Sequence, residues 1–396
     1  MLICAAHRLC QLKRLVRLGF LPLVTTLFLL STVMAAEAYR TDHGFLPPGT
    51  STCDAHVPVT LSVPPNAAPI PDPFQRQYSG GFYHVEEINH GLFYMTDGVY
   101  QAMFIVSDQG IILVDAPPSI GVNQQDQQRS VSLLDVIYSI PEARGREIKK
   151  LIYSHSHLDH IGAASVIKDV FPNVEIIAHE ETKELIARGT GTVEPFLAGS
   201  GSIPPPLPET IFRDQATVML GSQGLELSYQ GPIHQPGNIF IHAPKQKVLM
   251  LVDVIFPGWS PFSDLAVASD VPLFVAAHDK ALAFEFDTFI GGHLNHLGTR
   301  ADVEESRRYI QDIKANTITA LFDPSLFAIF SMVPANSLGA FAIYLDQVAC
   351  ECANLTLNAA TTPSGTDWLG RFGAADINTV GHCWRMAEAL RIDPAF

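Results

Sequence analysis

The chain has 396 residues, of which 47% are hydrophobic and 16% charged. That supplies enough apolar material for a sizeable buried core and excludes a disordered chain. Its 40 acidic residues outnumber 25 basic ones, for a formal charge of −15. Such a surface repels phosphate backbones, so nucleic acid is not an expected partner and a small molecule is.

The N-terminus has the layout of an export signal. Arg8, Lys13, Arg14 and Arg17 precede an uncharged apolar run from Leu18 to Ala36, and small residues offer cleavage after Ala36 or Ala38. Residues 1–38 are therefore expected to be a signal peptide, removed from a periplasmic or secreted protein that keeps no stable membrane partner. The alternative is an uncleaved anchor, since the apolar run is just long enough to span. Residues 39–78 form an extended Pro-rich lead-in with Pro47-Pro48 and Pro64-Pro65.

From residue 79 the pattern is that of a folded domain. Leu92–Met95, Gln101–Val106 and Ile111–Val114 read as antiparallel strands separated by Thr96-Asp97-Gly98 and Ser107-Asp108-Gln109-Gly110. A helix is expected over Gln127–Ser139, ended by Pro141. Then come a strand at Lys150–Tyr153, a helix at Ile161–Val170 and a strand at Val174–Ala178. Residues 190–210, with Pro204-Pro205-Pro206, read as a long connecting loop. A second strand series covers Ala216–Leu220, Leu225–Tyr229, Asn238–His242, Val248–Val252 and Thr288–Ile290. This order fits a mixed α/β (α+β) chain with two sheets and helices outside them, over 79–300. Residues 301–396 read as a helical C-terminal cap, with helices at Ala301–Lys314, Ser337–Leu355 and His382–Leu390, expected to pack on the 79–300 domain and help shape its pocket. Outside the signal, Cys53, Cys350, Cys352 and Cys383 are even in number, and the expected pairing joins Cys350 or Cys352 to Cys383, with Cys53 an equal partner.

The chemistry concentrates in Ser154-His155-Ser156-His157-Leu158-Asp159-His160, which follows an apolar strand. His155 and His157 are two apart, so an extended segment turns both to one side. Asp159 and His160 open the next helix. Imidazole and carboxylate suit zinc, and this spacing can offer ligands to two adjacent ions. His234, Asp253 and His293 each end or follow a strand. Phe256–Phe262 beside Asp253 is either an apolar substrate wall or ordinary core. His242, His278 and His296 read as structural.

HSHLDH followed by His234, Asp253 and His293, with Ile112-Leu113-Val114-Asp115 upstream, resembles the metallo-β-lactamase superfamily over about residues 80–300. The resemblance implies an αββα sandwich with two zinc ions at one edge. It places His155, His157 and His234 on the first ion and Asp159, His160 and His293 on the second. Asp253 would bridge them, and Asp115 would be the acid behind the ligands. Asp253 stands where the principal antibiotic-hydrolysing members carry Cys or Ser, as in the glyoxalase II and lactonase-like branch. His157 stands where the diiron branch carries Glu. Only Arg371, Arg385 and Arg391 are basic within 337–396, which suits a glutathione substrate poorly.

The implied activity is hydrolysis of a lactone, ester or thioester by a metal-bridging hydroxide, with Asp159 as the catalytic carboxylate that orients the nucleophile and passes a proton to the leaving group. A periplasmic β-lactamase and a non-catalytic metal-binding protein are the alternatives.

Overall fold

The computed structural model describes residues 83–123, 127–189, 204–332 and 337–396. The signal, the lead-in, Cys53 and most of the 190–210 loop lie outside the described residues.

The described residues carry two sheets. The first has seven strands in chain order: β1 (His84–Asn89), β2 (Leu92–Thr96), β3 (Gln101–Ser107), β4 (Gly110–Val114), β5 (Ile148–Ile152), β6 (Glu175–His179) and β7 (Thr210–Phe212). Pairing is antiparallel from β1 to β4 and parallel from β4 to β7. The second has five strands, β8 (Gln215–Leu220), β9 (Gln223–Tyr229), β10 (Ile239–Ala243), β11 (Val248–Met250) and β12 (Thr288–Ile290), again in chain order. Only its β11–β12 edge is parallel.

Alternation along each strand builds the layers. On β4, Ile112 and Val114 join Leu92, Met103 and Ile152 in a core shared with Leu225, Leu227, Ile239, Ile241, Val248 and Met250 of the second sheet. Ile111 and Leu113 point the other way. They pack with Leu133, Val136, Ile137, Ile161 and Ile167 of three helices, α1 (Leu133–Tyr138), α2 (Leu158–Ile161) and α3 (Ala164–Val170). α4 (Glu180–Arg188) follows β6. On the far side, α5 (Val271–Leu282) packs on α6 (Arg300–Leu321), and α6 contacts β12. The result is helix, sheet, sheet, helix.

Two expected helices are each interrupted. Gln127–Ser139 divides into a short 3-10 turn at Gln127–Arg129 and α1, because Ser132 caps α1 in a reciprocal box with Asp135. The helix expected over Ile161–Val170 begins earlier, at Leu158, and breaks at Gly162 and Ala163, where Ala163 N–H bonds to the Ala116 carbonyl instead of continuing the helix. The strand expected over Val248–Val252 stops at Met250. Asp253 N–H already bonds to the Gly291 carbonyl there, and Asp253 adopts a positive φ.

The described residues form two compact units, one within Ala55–Leu321 and Val348–Phe396, the other Phe322–Gln347. The division thus runs through the C-terminal extension. In the smaller unit, Phe327, Phe330, Phe341 and Tyr344 pack ring to ring across α7 (Ile329–Met332) and the start of α8 (Ser337–Leu357). In the larger unit, Cys352 of α8 is joined to Cys383 of α9 (Ala375–Ile392), with Cα atoms 5.9 Å apart.

Two buried histidines make this fold acid-sensitive. The His278 imidazole shares its Nε2 with Ser306 Oγ at 3.1 Å, tying α5 to α6, and burial pushes its pKa down to about 4. Burial lowers His382 to about 3. The unfolded chain takes up these protons near pH 6.5, and the folded chain only well below it. Their contribution is therefore intact above pH 6.5 and lost as pH falls from there toward 4, by about 3 kcal/mol for His278. Urea unfolding of metal-free wild type at pH 7 and 4.5 should show this loss, and His278→Gln should blunt it. Equal stability at the two pH values would contradict it.

Candidate metal centre

The candidate ligands lie in loops just beyond strand ends or in one short helical turn. Just beyond β5, Ser154 is fixed by two backbone bonds. Its N–H donates to Asp115 Oδ1 at 2.8 Å, and its carbonyl accepts from Ile239 N–H at 3.1 Å. His155 and His157 then meet with ring centroids 4.6 Å apart. Asp159 and His160 lie in the single turn of α2. His234 sits between β9 and β10, Asp253 past β11 and His293 past β12. Asp115 and Asp253 hold φ of 62° and 65°, the left-handed region that Asp tolerates better than bulkier residues.

These residues converge into two adjoining groups, His155, His157, His234 and Asp253, then Asp159, His160 and His293. The Asp253 carboxylate faces both. Its Oδ2 lies 3.2 Å from His155 Nε2 and 3.3 Å from His234 Nε2, and its Oδ1 lies 2.7 Å from His293 Nε2. Oδ2 is also 3.3 Å from His160 Nε2. Asp159 Oδ2 approaches His160 at 3.5 Å and His293 at 4.0 Å.

The set fits metal ions better than it fits hydrogen bonds among its own members. His155 Nε2 and Asp253 Oδ1 are buried without a hydrogen-bond partner, despite the short separation between Oδ1 and His293. The atoms are close but misdirected, as expected when they aim at a shared point. Nitrogens meet nitrogens, His234 Nε2 with His157 Nδ1 at 3.1 Å and His160 Nε2 with His293 Nε2 at 3.2 Å. Two nitrogens on one tetrahedral zinc, each at about 2.05 Å, lie about 3.3 Å apart. The outward nitrogens are held from behind. His155 Nδ1 meets Ser154 Oγ at 2.9 Å, and His234 Nδ1 donates to the Ala266 carbonyl at 2.7 Å.

Charge is divided unevenly. Burial alone would raise the Asp253 pKa, but the His160 and His293 imidazoles hold it well below the usual carboxylate range. Burial opposes a proton on His160, yet Asp253 and Asp159 raise its pKa to about 10. Burial lowers His155 and His234. Asp115, fully buried, is raised by that burial to about 6, with His160 and the Ser154 N–H pulling it partly back. A cation at this place would replace the proton on His160 as partner of the carboxylates.

Above the cluster lies a cavity of about 440 Å³. Its floor holds His157, Asp159, His234, Asp253 and His293, and its wall is Val99, Tyr100, Phe256, Trp259, Phe262, Ala266, Val267, Leu294 and Ala374, with Ser260 and Asn378 the other polar members. Among the described residues, the lining contains no Lys or Arg. Residues 95–318 match the family model of the metallo-β-lactamase superfamily. This chain belongs to that superfamily. It is 28% identical over 218 residues to the 2,4-dinitroanisole O-demethylase subunit alpha of Nocardioides sp., covering 54% of this chain and 58% of that subunit's length. It is 30% identical over 149 residues to the hydroxyacylglutathione hydrolase GloC of Haemophilus influenzae, covering 37% of this chain and 68% of that enzyme. The sec-alkylsulfatase Pisa1 of Pseudomonas sp. shares the fold, with a TM-score of 0.51 at 14% identity, over 78% of this chain and 50% of that one.

The eight site residues expected from sequence come together, seven of them in the two groups and Asp115 behind Ser154. His242, His278 and His296 do not join it. His242 bonds to Glu226 and the Glu285 carbonyl, His278 lies between α5 and α6, and His296 belongs to neither group. Phe256, Trp259 and Phe262 form cavity wall. Sequence reading missed Tyr100, whose ring packs on His160 and His293 at 5.8 and 4.9 Å between centroids. The signal available was Asp97-Gly98, since Asp97 Oδ1 accepts from the N–H groups of Val99 and Tyr100 and so fixes that turn. Ala374 and Asn378 were missed too, because they reach the cavity from the C-terminal helix, far along the chain.

Proposed function

We propose that this chain is an exported, metal-dependent hydrolase that cleaves a lactone, ester or thioester in a neutral, apolar small molecule at a pair of zinc ions. One observation carries the reading, namely a single carboxylate facing two ligand groups beneath an apolar cavity that, among the described residues, has no cationic side chain. The basic segment and apolar run before Ala36 support export.

His155, His157 and His234 would hold one ion, Asp159, His160 and His293 the other, and Asp253 both. Zinc at such a site supplies Lewis acidity and a water-derived nucleophile at neutral pH. The protein's part is placement. The Ala266 carbonyl fixes the tautomer of His234, and Ser154 Oγ holds the His155 ring at Nδ1. Asp159 shares the cavity floor with the clustered imidazoles, where it can hold a proton and deliver it to the leaving group. Asp115 secures the backbone that carries the histidines. The wall excludes water from the acyl or alcohol portion of the substrate.

The relative named for hydroxyacylglutathione supports thioester chemistry, and the one named for 2,4-dinitroanisole supports an aromatic group beside the scissile bond. Carboxylates such as those of glutathione would enter a wall that offers no cation among the described residues to pair them. The test is a panel of an apolar lactone, an aryl ester, an apolar thioester, a glutathione thioester, a cephalosporin and 2,4-dinitroanisole, each with zinc-loaded and chelator-treated protein. Metal-dependent turnover of the neutral carbonyl substrates, above the glutathione adduct and the cephalosporin, is expected. Preference for the cephalosporin or the anisole would overturn the substrate assignment.

Phe262 is 64% exposed at the cavity rim, so its replacement should spare the fold. Phe262→Lys should raise KM for an apolar ester about tenfold with kcat little changed, through lost apolar contact. Steady-state kinetics against an acetyl ester and a long-chain ester reads this directly, and the penalty should grow with chain length.

A further inference from the structure

Between Phe262 and Ala268 the backbone does something that the residue types do not favour. Asp264, Leu265, Ala266 and Val267 all have positive φ, at 57°, 59°, 52° and 46°, with ψ of 43°, 48° and 42° at the first three. This is a left-handed helical turn without a glycine. Such a turn costs L-residues roughly 1–2 kcal/mol per residue, so it persists only where its surroundings hold it.

The holding is done by α9, which lies beyond the span matched by the family model. Asn378, His382 and Arg385 are spaced four and three apart and share one face of that helix. Asn378 Nδ2 donates to Ser260 Oγ at 3.1 Å and to the Pro261 carbonyl at 3.0 Å, ahead of the turn. Leu265 N–H, inside the turn, donates to His382 Nδ1 at 2.9 Å. Arg385 Nη2 donates to the Ala268 carbonyl at 2.8 Å, just after it. Helix and turn are closely apposed, since a Cβ at Gly381 would fall 2.5 Å from Asp264 Oδ1. The turn in turn presents the Ala266 carbonyl to His234 Nδ1 and leaves His234 Nε2 facing the cluster.

We propose that α9 is a clamp on the metal site and that His382 is a positioning residue for His234, acting through the Leu265 N–H and the left-handed turn. The proposal rests on the reading of His234 as a metal ligand. Without the clamp the turn relaxes toward right-handed or extended backbone, the Ala266 carbonyl swings away, and the His234 ring loses its fixed tautomer and direction.

The test uses full-length protein and cobalt(II) as the probe, with affinity from chelator competition and site geometry from the visible d–d spectrum. His382→Leu removes the acceptor. His382→Asn keeps one, because Asn Oδ1 can take the place of His Nδ1. Ser306→Ala breaks the bond to His278, away from the metal groups, and controls for general destabilisation. His382→Leu should weaken cobalt binding at least tenfold and alter the spectrum. His382→Asn should stay within threefold of wild type, and Ser306→Ala should lower the melting temperature without changing either readout. Arg385→Met, which frees Ala268, should show the same direction of change if His382→Leu does not fold. Cobalt binding and spectrum unchanged in both His382→Leu and Arg385→Met, or His382→Asn as weak as His382→Leu, would overturn the clamp. His234→Ala binding cobalt like wild type would overturn the ligand reading beneath it, a result separate from the others.

Discussion

Asp253→Ala is expected to lose at least one of two bound zinc ions and to lower kcat/KM on the order of 10³-fold or more. The carboxylate offers one oxygen to His155, His157, His160 and His234 and the other to His293. Removing it leaves two cations packed together with the Asp159 carboxylate as the negative group left in the two ligand clusters. Loss of a residue that merely supports a metal ligand typically costs about 10–100-fold, and a carboxylate shared by both ions should cost more. Asp253→Cys should be milder, since thiolate binds zinc well. His296→Ala, outside both groups, should retain full metal content. Metal analysis of the purified variants beside ester hydrolysis checks all three.

Gly292→Ala should damage both stability and the second metal group. Gly292 has a φ of +87°, and a Cβ there would lie 2.5 Å from Val252 Cγ1. Val252 is β-branched, fully buried and part of the core between the sheets, so it cannot step aside. The Gly292 carbonyl accepts from Gln101 N–H at 2.7 Å, which ties the loop to β3. Strain at positive φ plus overpacking should cost about 2–4 kcal/mol, and the shift should carry His293 away from Asp253 Oδ1. Urea unfolding and metal content read the two effects separately. Gly145→Ala, also at positive φ but with nothing within 4 Å of its Cβ, should cost less and leave metal content unchanged.

The candidate ligand cluster was legible because its largest part is local. Histidines two apart at the end of a buried strand must share a side, and residues opening a helix must turn back toward them. His234, Asp253 and His293 were legible as strand-end residues only in company with that motif, each being an ordinary loop residue alone. The sheets were read from alternation, but β1 escaped. Its His84–Asn89 stretch, HVEEIN, is half-buried and carries charge on both faces. α5 was missed for the opposite reason, its apolar run having a weak face, although Asp270 followed by Pro272 is a helix-start signal that Asp270 fulfils by accepting from Leu273 N–H. The left-handed turn at 264–267 had no local signal at all. Nothing in Leu-Ala-Val predicts positive φ, and the contacts that hold it come from His234 and from α9, the latter more than 100 residues later. The walls of the cavity were likewise hidden, because they are assembled from the β2–β3 turn, the 256–267 loop and the start of α9.

Zinc titration of metal-free protein, with bound metal and hydrolysis of an apolar aryl ester measured on the same samples, bears most directly on a two-metal hydrolase with a neutral substrate. Bound metal should saturate at two equivalents per chain, with ester hydrolysis rising in step and abolished by chelator. Saturation at one equivalent or none, or two equivalents bound with no hydrolysis of any carbonyl substrate in the panel, would contradict it.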